Sequence, residues 1–225
     1  MSHIFVTGGA GFIGANFVLD WLHADKADAI ANLDKLTYAG NLMSLASLYD
    51  DARHIFSRSD ICDQARLDQL FAEFRPHAVV HFAAERHVDR SIHAPDDFIQ
   101  TNIGGAFSLL EATRTYWTTM PVAERDRFRF LHISTDEVFG SLEPIGTPFS
   151  ENTPYAPNSP YSASKAASDH LVRAYHHAHS LPVLTTHCSD NYEPYQFPEK
   201  LISLLIANAL TNVATAACTV RGTPK

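Results

Sequence analysis

Residues 7–14 read Thr-Gly-Gly-Ala-Gly-Phe-Ile-Gly. They follow a short apolar run that predicts a strand over His3–Thr7, and they open a segment with helical apolar spacing. Gly8 allows a tight turn, Gly11 lets a pyrophosphate approach the backbone, and Gly14 lets the helix pack closely on the strand. The N-terminus of that helix adds unpaired N–H groups and a positive dipole. The stretch therefore predicts a dinucleotide-binding turn.

An acidic residue, Asp34, ends the next predicted strand, 20 residues after Gly14. A carboxylate at this place accepts hydrogen bonds from the ribose hydroxyls of the adenosine and repels a 2′-phosphate. Lys35 follows directly; it either tolerates a phosphate or is a solvated surface lysine. The combination favours NAD over NADP as the cofactor.

The rest of the chain alternates short β-branched, apolar runs with longer stretches of helical periodicity. The predicted strands are His3–Thr7, Ala29–Asp34, His54–Ser57, Ala78–Ala83, Phe128–Ser134 and Val183–Cys188. The predicted helices are Phe12–His23, Gln64–Phe74, Asp96–Trp117, Tyr161–His179 and Pro198–Leu210, and Ser141–Pro160 is predicted as a long loop. This rhythm predicts an α/β fold with a doubly wound parallel sheet, the Rossmann architecture.

Composition narrows the class of protein. The 225 residues are 45% hydrophobic and 19% charged, which is typical of a globular chain. A net charge of −8 disfavours binding to nucleic acid, and no apolar run is long enough for a membrane span. The three cysteines are too widely spaced for a disulfide framework, and the histidines lack partners at metal-ligand spacing, so we expect no metal site and a cytoplasmic protein.

A second group of residues lies in the C-terminal half of the chain. Tyr161 and Lys165 are four residues apart at the start of a predicted helix, which places phenol and ammonium on one face. A nearby lysine charge is expected to lower the pKa of the phenol, so Tyr161 is a candidate base. The alternative is that Tyr161 and Lys165 only contribute to the packing of their helix and have no catalytic role.

Two adjacent carboxylates, Asp136 and Glu137, follow Thr135 at the end of the fifth predicted strand. Because ligands bind at the carboxyl ends of parallel strands, these side chains are expected to face the cofactor crevice. They are interpreted as an acid and a base whose pKa values are pushed apart. The alternative is a pair of solvated loop acids or a helix cap.

Together these motifs resemble the extended short-chain dehydrogenase/reductases and, within them, the dTDP-glucose 4,6-dehydratases. The resemblance also rests on Asp34–Asn41, Ala83-Ala84-Glu85 and His87–Ser91, and it runs from about residue 3 to about residue 210. Thr135-Asp136-Glu137 discriminates best, because the related sugar-nucleotide 4-epimerases share the glycines and the Tyr-x-x-x-Lys pair but lack the acidic pair.

The resemblance implies a lyase in which oxidation at the sugar C4 is transient. Tyr161 takes the proton of the 4-hydroxyl, Thr135 hydrogen-bonds the same oxygen, and Lys165 holds the phenolate and the nicotinamide ribose. Glu137 then removes the C5 proton and Asp136 protonates the departing 6-hydroxyl.

The resemblance implies further contacts as well. The additional cofactor residues are Phe12, Ile13, Lys35, Asp60, Ile61, Ala83, Ala84 and Cys188, beside Gly8, Gly11, Gly14, Asp34, Tyr161 and Lys165. The implied substrate residues are Glu85, His87, Thr135 and Asn191. The implied substrate is a nucleotide-sugar, dTDP-glucose first, with a UDP or GDP sugar as the alternative base, and the helices near 96–117 and 161–179 are implied to form a homodimer.

The chain departs from the family pattern at Arg86, Asp190 and Glu193, where the family usually has Ser, Asn and Gly. The expected organisation is an NAD-binding domain over residues 1–190 and a remnant of the C-terminal substrate domain over 191–225, with an atypical tail from about 211. We therefore keep a non-catalytic NAD-binding chain as the alternative function, followed by a 4-epimerase.

Overall fold

The computed structural model describes residues 2–24, 27–142, 147–197 and 201–211. Six parallel strands form one sheet in the order β3-β2-β1-β4-β5-β6. They are β1 Ser2–Thr7, β2 Asp28–Asp34, β3 His54–Arg58, β4 Ala78–His81, β5 Arg129–Thr135 and β6 Val183–Cys188. The winding direction reverses between β1 and β4, which opens a crevice at the carboxyl ends of these strands. The predicted doubly wound α/β fold is confirmed.

Eight α-helices connect and cover the strands in the described part of the chain. They are α1 Phe12–Ala24, α2 Gln64–Phe74, α3 Val88–His93, α4 Pro95–Phe98, α5 Ala106–Thr119, α6 Val122–Arg125, α7 Pro160–His179 and α8 Leu201–Thr211. Short 3₁₀ helices span Leu42–Leu48 and Asp136–Phe139. Helix α7 begins sharply because Ser159 and Ser162 form a reciprocal capping box around Pro160. None of the helices within these ranges is both long and apolar enough to cross a membrane.

The core lies on both faces of the sheet. Successive side chains of β1 point to opposite faces, so Phe5 packs with α2, α5 and α7 while Val6 packs with α1. Phe5, Val6 and Ile30 are at most 1% exposed. Burial on both faces explains why these strands read as continuous apolar runs rather than alternating ones.

The predicted helix over 96–117 is corrected by the structure. It consists of α4, a π-helical segment Ile99–Gly105, and α5. A π turn shifts the helical register by one residue, and here it directs the buried side chain of Asn102 toward the loop after β4. Apolar periodicity alone did not reveal the interruption.

Other boundaries differ slightly from the sequence-based ones. Strand β4 ends at His81 instead of Ala83, since the N–H of Ala83 turns to the Thr7 hydroxyl. Helix α8 is described from Leu201, and the predicted start at 198–200 lies outside the described residues, as do 143–146 of the predicted loop and 212–225 of the predicted tail.

Candidate active site

The glycine turn joins β1 to α1 at the crevice. Gly8 has φ of +74°, and a Cβ there would lie 2.5 Å from the backbone nitrogen of Ala83. A Cβ on Gly14 would overlap the carbonyl oxygen of Gly8. The turn is compact because its glycines have no side chains, and this leaves the N-terminus of α1 open to the cleft.

Asp34 closes the glycine turn onto β2. Its Oδ2 accepts a hydrogen bond from the N–H of Ala10 at 3.0 Å, and its Oδ1 accepts one from the N–H of Leu36 at 2.8 Å. Burial raises the pKa of Asp34, although the backbone hydrogen bonds favour its ionised form. The carboxylate keeps further lone pairs that can accept from a ligand hydroxyl.

Lys35 forms an ion pair with Asp60, with 2.6 Å between Nζ and Oδ2. The hydrogen bond to Asp60 raises the pKa of Lys35. Burial alone would raise the pKa of Asp60, but the hydrogen bonds from Lys35 and from the N–H of Cys62, together with the Lys35 charge, outweigh it and the pKa is lowered. The charge of Lys35 is thus paired with that of Asp60, which argues against Lys35 as a binding partner for the 2′-phosphate of NADP.

The loop after β4 is held from the π segment. Asn102, which is 2% exposed, accepts from the N–H of Glu85 at 2.8 Å and donates to the carbonyl oxygen of Glu85 at 2.9 Å. Its Nδ2 also lies 2.8 Å from Ser164 Oγ on α7. Burial raises the pKa of Glu85, so this loop brings a weakly acidic carboxyl to the cleft. The sequence-based reasoning missed Asn102, because nothing in the apolar pattern marks it.

Thr135, Tyr161 and Lys165 meet where β5 ends beside α7. The Thr135 hydroxyl hydrogen-bonds the Tyr161 phenol, which favours a lower pKa of that phenol. Lys165 is 4% exposed and donates to the carbonyl oxygen of Ile133 at 2.8 Å. Burial lowers the pKa of Lys165 to about 8, while the charge of Asp169 opposes the shift.

The expectation of a lowered pKa for Tyr161 is wrong for this structure, because the pKa is raised. Burial raises the pKa of Tyr161, and the charge of Glu137 raises it further. Arg86 is a cation whose charge acts in the opposite direction. The phenol is consequently a weaker acid than an ordinary tyrosine.

Asp136 and Glu137 begin the 3₁₀ helix that follows β5. Thr135 caps this helix, since its Oγ1 accepts from the N–H of Glu137 at 3.3 Å. The charges of both carboxylates act on the phenol of Tyr161, and that of Glu137 is the stronger. The predicted acidic pair and the predicted phenol are therefore parts of one site.

A single cleft at the carboxyl ends of the strands collects most of the predicted cofactor residues. It is lined by thirteen of the fourteen, namely Gly8, Gly11, Phe12, Ile13, Gly14, Asp34, Lys35, Asp60, Ile61, Ala83, Ala84, Tyr161 and Lys165, and by the predicted substrate residue Glu85. Arg86, Ser59, Thr101 and Ser134 line it too, and of these only Arg86 stood out in the sequence.

Thr135, Asp136 and Glu137 lie outside the lining of this cleft, as do three further predicted residues, Cys188, His87 and Asn191. Cys188 ends β6 and is near enough for its charge to act on Lys165. His87 caps α3 by accepting from the N–H of Arg90 at 3.3 Å, and Asn191 is exposed and donates to the carbonyl oxygen of Ser189 at 2.9 Å.

The two later departures from the family pattern, Asp190 and Glu193, are also exposed. The left-handed φ in their loop belongs to Tyr195, so Glu193 carries no such strain.

Known proteins share both the sequence and this architecture. The chain is 62% identical over 210 residues to the dTDP-glucose 4,6-dehydratase of Xanthomonas campestris, which covers 93% of this chain and 59% of that protein. The crystal structure of dTDP-glucose 4,6-dehydratase from Bacillus anthracis in complex with NAD is 42% identical, with a TM-score of 0.82, and the match covers 94% of this chain and 62% of that one. The resemblance stated from the motifs is confirmed.

A UDP-glucose 4-epimerase has the same fold. The Thermus thermophilus structure, a complex with NAD, is 31% identical, with a TM-score of 0.78 over 92% of this chain and 61% of that one. The chain spans about 60% of the length of the curated relatives that it matches. A family model described as GDP-mannose 4,6 dehydratase matches residues 5–221, which extends about ten residues beyond the expected end of the resemblance. The chain belongs to this family of 4,6-dehydratases.

Proposed function

We propose that this chain binds NAD and carries the catalytic residues of a dTDP-glucose 4,6-dehydratase, which converts a nucleotide-diphospho-glucose to its 4-keto-6-deoxy product with loss of water. The observation that carries the proposal is the convergence of Asp136 and Glu137 on the phenol of Tyr161, next to the glycine turn. Identity of 62% to a protein named dTDP-glucose 4,6-dehydratase supports the thymidine nucleotide over UDP or GDP.

The cleft fits a dinucleotide. A Cβ on Gly14 would overlap the carbonyl oxygen of Gly8, so the glycine lets the turn pack directly against α1 and keeps the N-terminus of α1 accessible to a pyrophosphate. Asp34 stands at the end of β2, where it can accept from the ribose hydroxyls. Lys35 forms an ion pair with Asp60, so its positive charge is already compensated. The carboxylate of Asp34 would repel a 2′-phosphate, which favours NAD over NADP.

Bound NAD supplies a hydride acceptor and then a hydride donor, so the net reaction needs no external oxidant. In the oxidation, Tyr161 takes the proton of the sugar 4-hydroxyl and Thr135 hydrogen-bonds the same oxygen. Lys165 adds the positive charge that stabilises the phenolate. The hydrogen bond of Thr135 to the phenol supports the role of Thr135, and the place of Lys165 one turn along α7, where the carbonyl oxygen of Ile133 holds it at 2.8 Å, supports that of Lys165.

Elimination uses the acidic pair. The new 4-ketone acidifies the C5 hydrogen, Glu137 removes that proton, and Asp136 protonates the 6-hydroxyl as it leaves as water. An acid and a base on neighbouring residues suit this step, because the proton is taken and given within one elimination. The position of both carboxylates at the capped start of one 3₁₀ helix supports these roles.

Two other functions remain as alternatives. A 4-epimerase shares the fold, as the 31% identical UDP-glucose 4-epimerase structure illustrates, but such an enzyme has no step for an acidic pair. A non-catalytic NAD-binding chain is the second alternative, because the chain spans about 60% of its curated relatives.

We also propose a homodimer through the helices near 96–117 and 161–179, in the cytoplasm. Ile99 and Phe107 are about half exposed, at 51% and 48%, on the outer face of the first of these segments. Exposed apolar side chains of this kind favour contact with a second copy of the chain. The wide spacing of the cysteines supports a reducing compartment.

The test is mass spectrometry of dTDP-glucose after incubation with the purified chain, with UDP-glucose and GDP-glucose in parallel. Loss of one water from dTDP-glucose, abolished in Tyr161→Phe, supports the dehydratase. Release of NAD on denaturation without any loss of water supports the non-catalytic chain instead. Conversion of a sugar nucleotide to an isomer of unchanged mass, detected by chromatography, supports the epimerase.

A further inference from the structure

Three consecutive residues of β5 contact three residues of α7 that are four apart. Thr135 hydrogen-bonds Tyr161, and the carbonyl oxygen of Ile133 accepts from Lys165 at 2.8 Å. Between them, Ser134 Oγ donates to Asp169 Oδ2 at 2.9 Å. Because residues four apart share one helix face, α7 holds the end of β5 at three successive points. The proposed reaction uses the first two pairs and leaves the third without a role.

The carboxylate of Asp169 is buried, with 4% of the residue exposed, and its hydrogen bonds converge on one oxygen. Its Oδ2 accepts from Ser134, from Tyr155 Oη at 3.1 Å and from His187 Nε2 at 3.1 Å. Its Oδ1 lies 3.1 Å from His132 Nε2. Burial alone would raise the pKa of Asp169, but the bonds from His132 and His187 hold it well below its ordinary value. A buried negative charge therefore persists one helical turn after Lys165.

The charge of Lys165 depends on its surroundings on four elements. Asp169 on its own helix and Cys188 on β6 favour the charged ammonium, whereas burial opposes it. His81 on β4 and His132 on β5 face the same ammonium, and burial lowers the pKa of both, so they add no positive charge near neutral pH. Of the two acidic groups, Asp169 has the larger effect on the ammonium.

We propose that Asp169 is a positioning residue for this site: its carboxylate fixes Ser134 at the end of β5 and serves as the buried counter-charge of Lys165. The inference rests on the proposed function in that Lys165 acts on a bound nicotinamide ribose and on the Tyr161 phenol. It adds a residue that touches neither, and that acts through Ser134 and Lys165.

The experiment is a titration of the chain with NADH, followed by NADH fluorescence, between about pH 6 and pH 10. Asp169→Asn removes the charge and keeps the shape of the side chain. Ser134→Ala removes one tether and keeps the charge. Tyr175→Phe is the matched control, since Tyr175 lies on α7, is 8% exposed and donates a 2.5 Å hydrogen bond to Glu111 away from β5. Circular dichroism checks that each variant folds.

In the unaltered chain we expect NADH affinity to fall as the pH rises through about 8, where Lys165 loses its proton. In Asp169→Asn the midpoint of this fall moves to lower pH by about one unit, and the Kd at pH 8 rises roughly fivefold. Ser134→Ala weakens binding without moving the midpoint, and Tyr175→Phe changes neither.

An unchanged midpoint in folded Asp169→Asn overturns the proposal. So does a Ser134→Ala chain with unaltered NADH affinity, and this second measurement decides the question if Asp169→Asn fails to fold. No sugar nucleotide is present in the titration. A chain that shows the shifted midpoint yet leaves dTDP-glucose unchanged therefore counts against the proposed dehydratase alone.

Discussion

The side-chain amide of Asn102 pairs with the backbone of Glu85 in both directions, accepting from its N–H at 2.8 Å and donating to its carbonyl oxygen at 2.9 Å. This is the hydrogen-bond pattern that a neighbouring strand would offer. The pairing lets the chain after β4 leave the sheet without losing its backbone partners, and it holds the loop that carries Glu85 and Arg86 along the cleft.

Replacing Asn102 by alanine should therefore destabilise the fold. Two backbone groups of Glu85 lose their partner, and each such loss costs about 1–3 kcal/mol when the group is buried. We expect a loss of about 2 kcal/mol or more in the free energy of unfolding, measured by urea denaturation. Asn158→Ala is the control, because Asn158 makes an exposed hydrogen bond to Ser141. Equal stability of the two variants would contradict the role of Asn102.

The glycine turn allows a sharper comparison. A Cβ on Gly14 would overlap the carbonyl oxygen of Gly8, whereas a Cβ on Gly104 meets nothing within 4 Å. Gly14→Ala should lower the free energy of unfolding by about 1–3 kcal/mol through overpacking. Gly104→Ala, which also lies in a helical segment, should be neutral or stabilising by up to about 1 kcal/mol. Thermal unfolding of the two variants measures the difference, and similar effects would show that the turn can relax.

Local patterns predicted the elements that depend on neighbours in sequence. The glycine turn, Asp34 and the acidic pair each lie at the end of a strand that a β-branched, apolar run predicts. The parallel arrangement of the strands follows from the repeated alternation of strand and helix. These features need only the nearest residues and the handedness of the crossovers.

Features that depend on distant contacts escaped prediction. The π turn at Asn102 leaves the apolar periodicity of its helix intact, and its purpose appears only when the Glu85 loop is beside it. The pKa of Tyr161 rises because tertiary packing buries the phenol and brings Glu137 near. Asp169 looks like one polar residue among many until β5 and β6 place their partners against it.

Asp34 is expected to control cofactor affinity. Its carboxylate accepts from the N–H groups of Ala10 and Leu36, and in the proposed binding mode it also accepts from the adenosine ribose. Asp34→Ala should raise the Kd for NAD tenfold or more, which corresponds to about 1.4 kcal/mol. Isothermal titration calorimetry gives the Kd, with the exposed Asp50→Asn as the control. An unaltered Kd in Asp34→Ala would refute the ribose assignment.

Glu137→Gln should separate the two halves of the proposed reaction. The amide cannot remove the C5 proton, so we expect water loss from dTDP-glucose to fall by about a hundredfold or more while oxidation at C4 continues. Mass spectrometry follows the loss of water, and the absorbance of reduced nicotinamide follows the oxidation. Full-rate elimination in this variant would show that another group is the base.

The same variant carries a pH prediction with a definite sign. The charge of Glu137 raises the pKa of Tyr161, so its removal lowers that pKa. In the proposed reaction Tyr161 acts as a base in its ionised form, so oxidation in Glu137→Gln should reach its plateau at a lower pH than in the unaltered chain. Single-turnover oxidation across a pH series measures the shift. A shift to higher pH would mean that Glu137 does not act electrostatically on the phenol.

The buried histidines should make the fold sensitive to mild acid. Burial lowers the pKa of His132 to about 4, against an ordinary value of 6.5, and lowers the pKa of His81 in the same direction. Between these two values the unfolded chain binds a proton that the folded chain does not, so the free energy of unfolding must fall as the pH drops from about 6.5 toward 4.

For His132 the loss is on the order of 3 kcal/mol over that window. The lowered pKa of Asp169 adds a further loss only at more acidic pH, below the pKa of an ordinary aspartate near 3.8. The two contributions are thus separated along the pH axis.

Urea denaturation at a series of pH values gives the dependence of the free energy of unfolding on pH, and His132→Gln should flatten this slope because the amide does not titrate. His177→Gln, an exposed change on α7, should leave the slope unaltered. If His132→Gln retains the full slope, the acid sensitivity originates in other groups, and His81 is the next residue to replace.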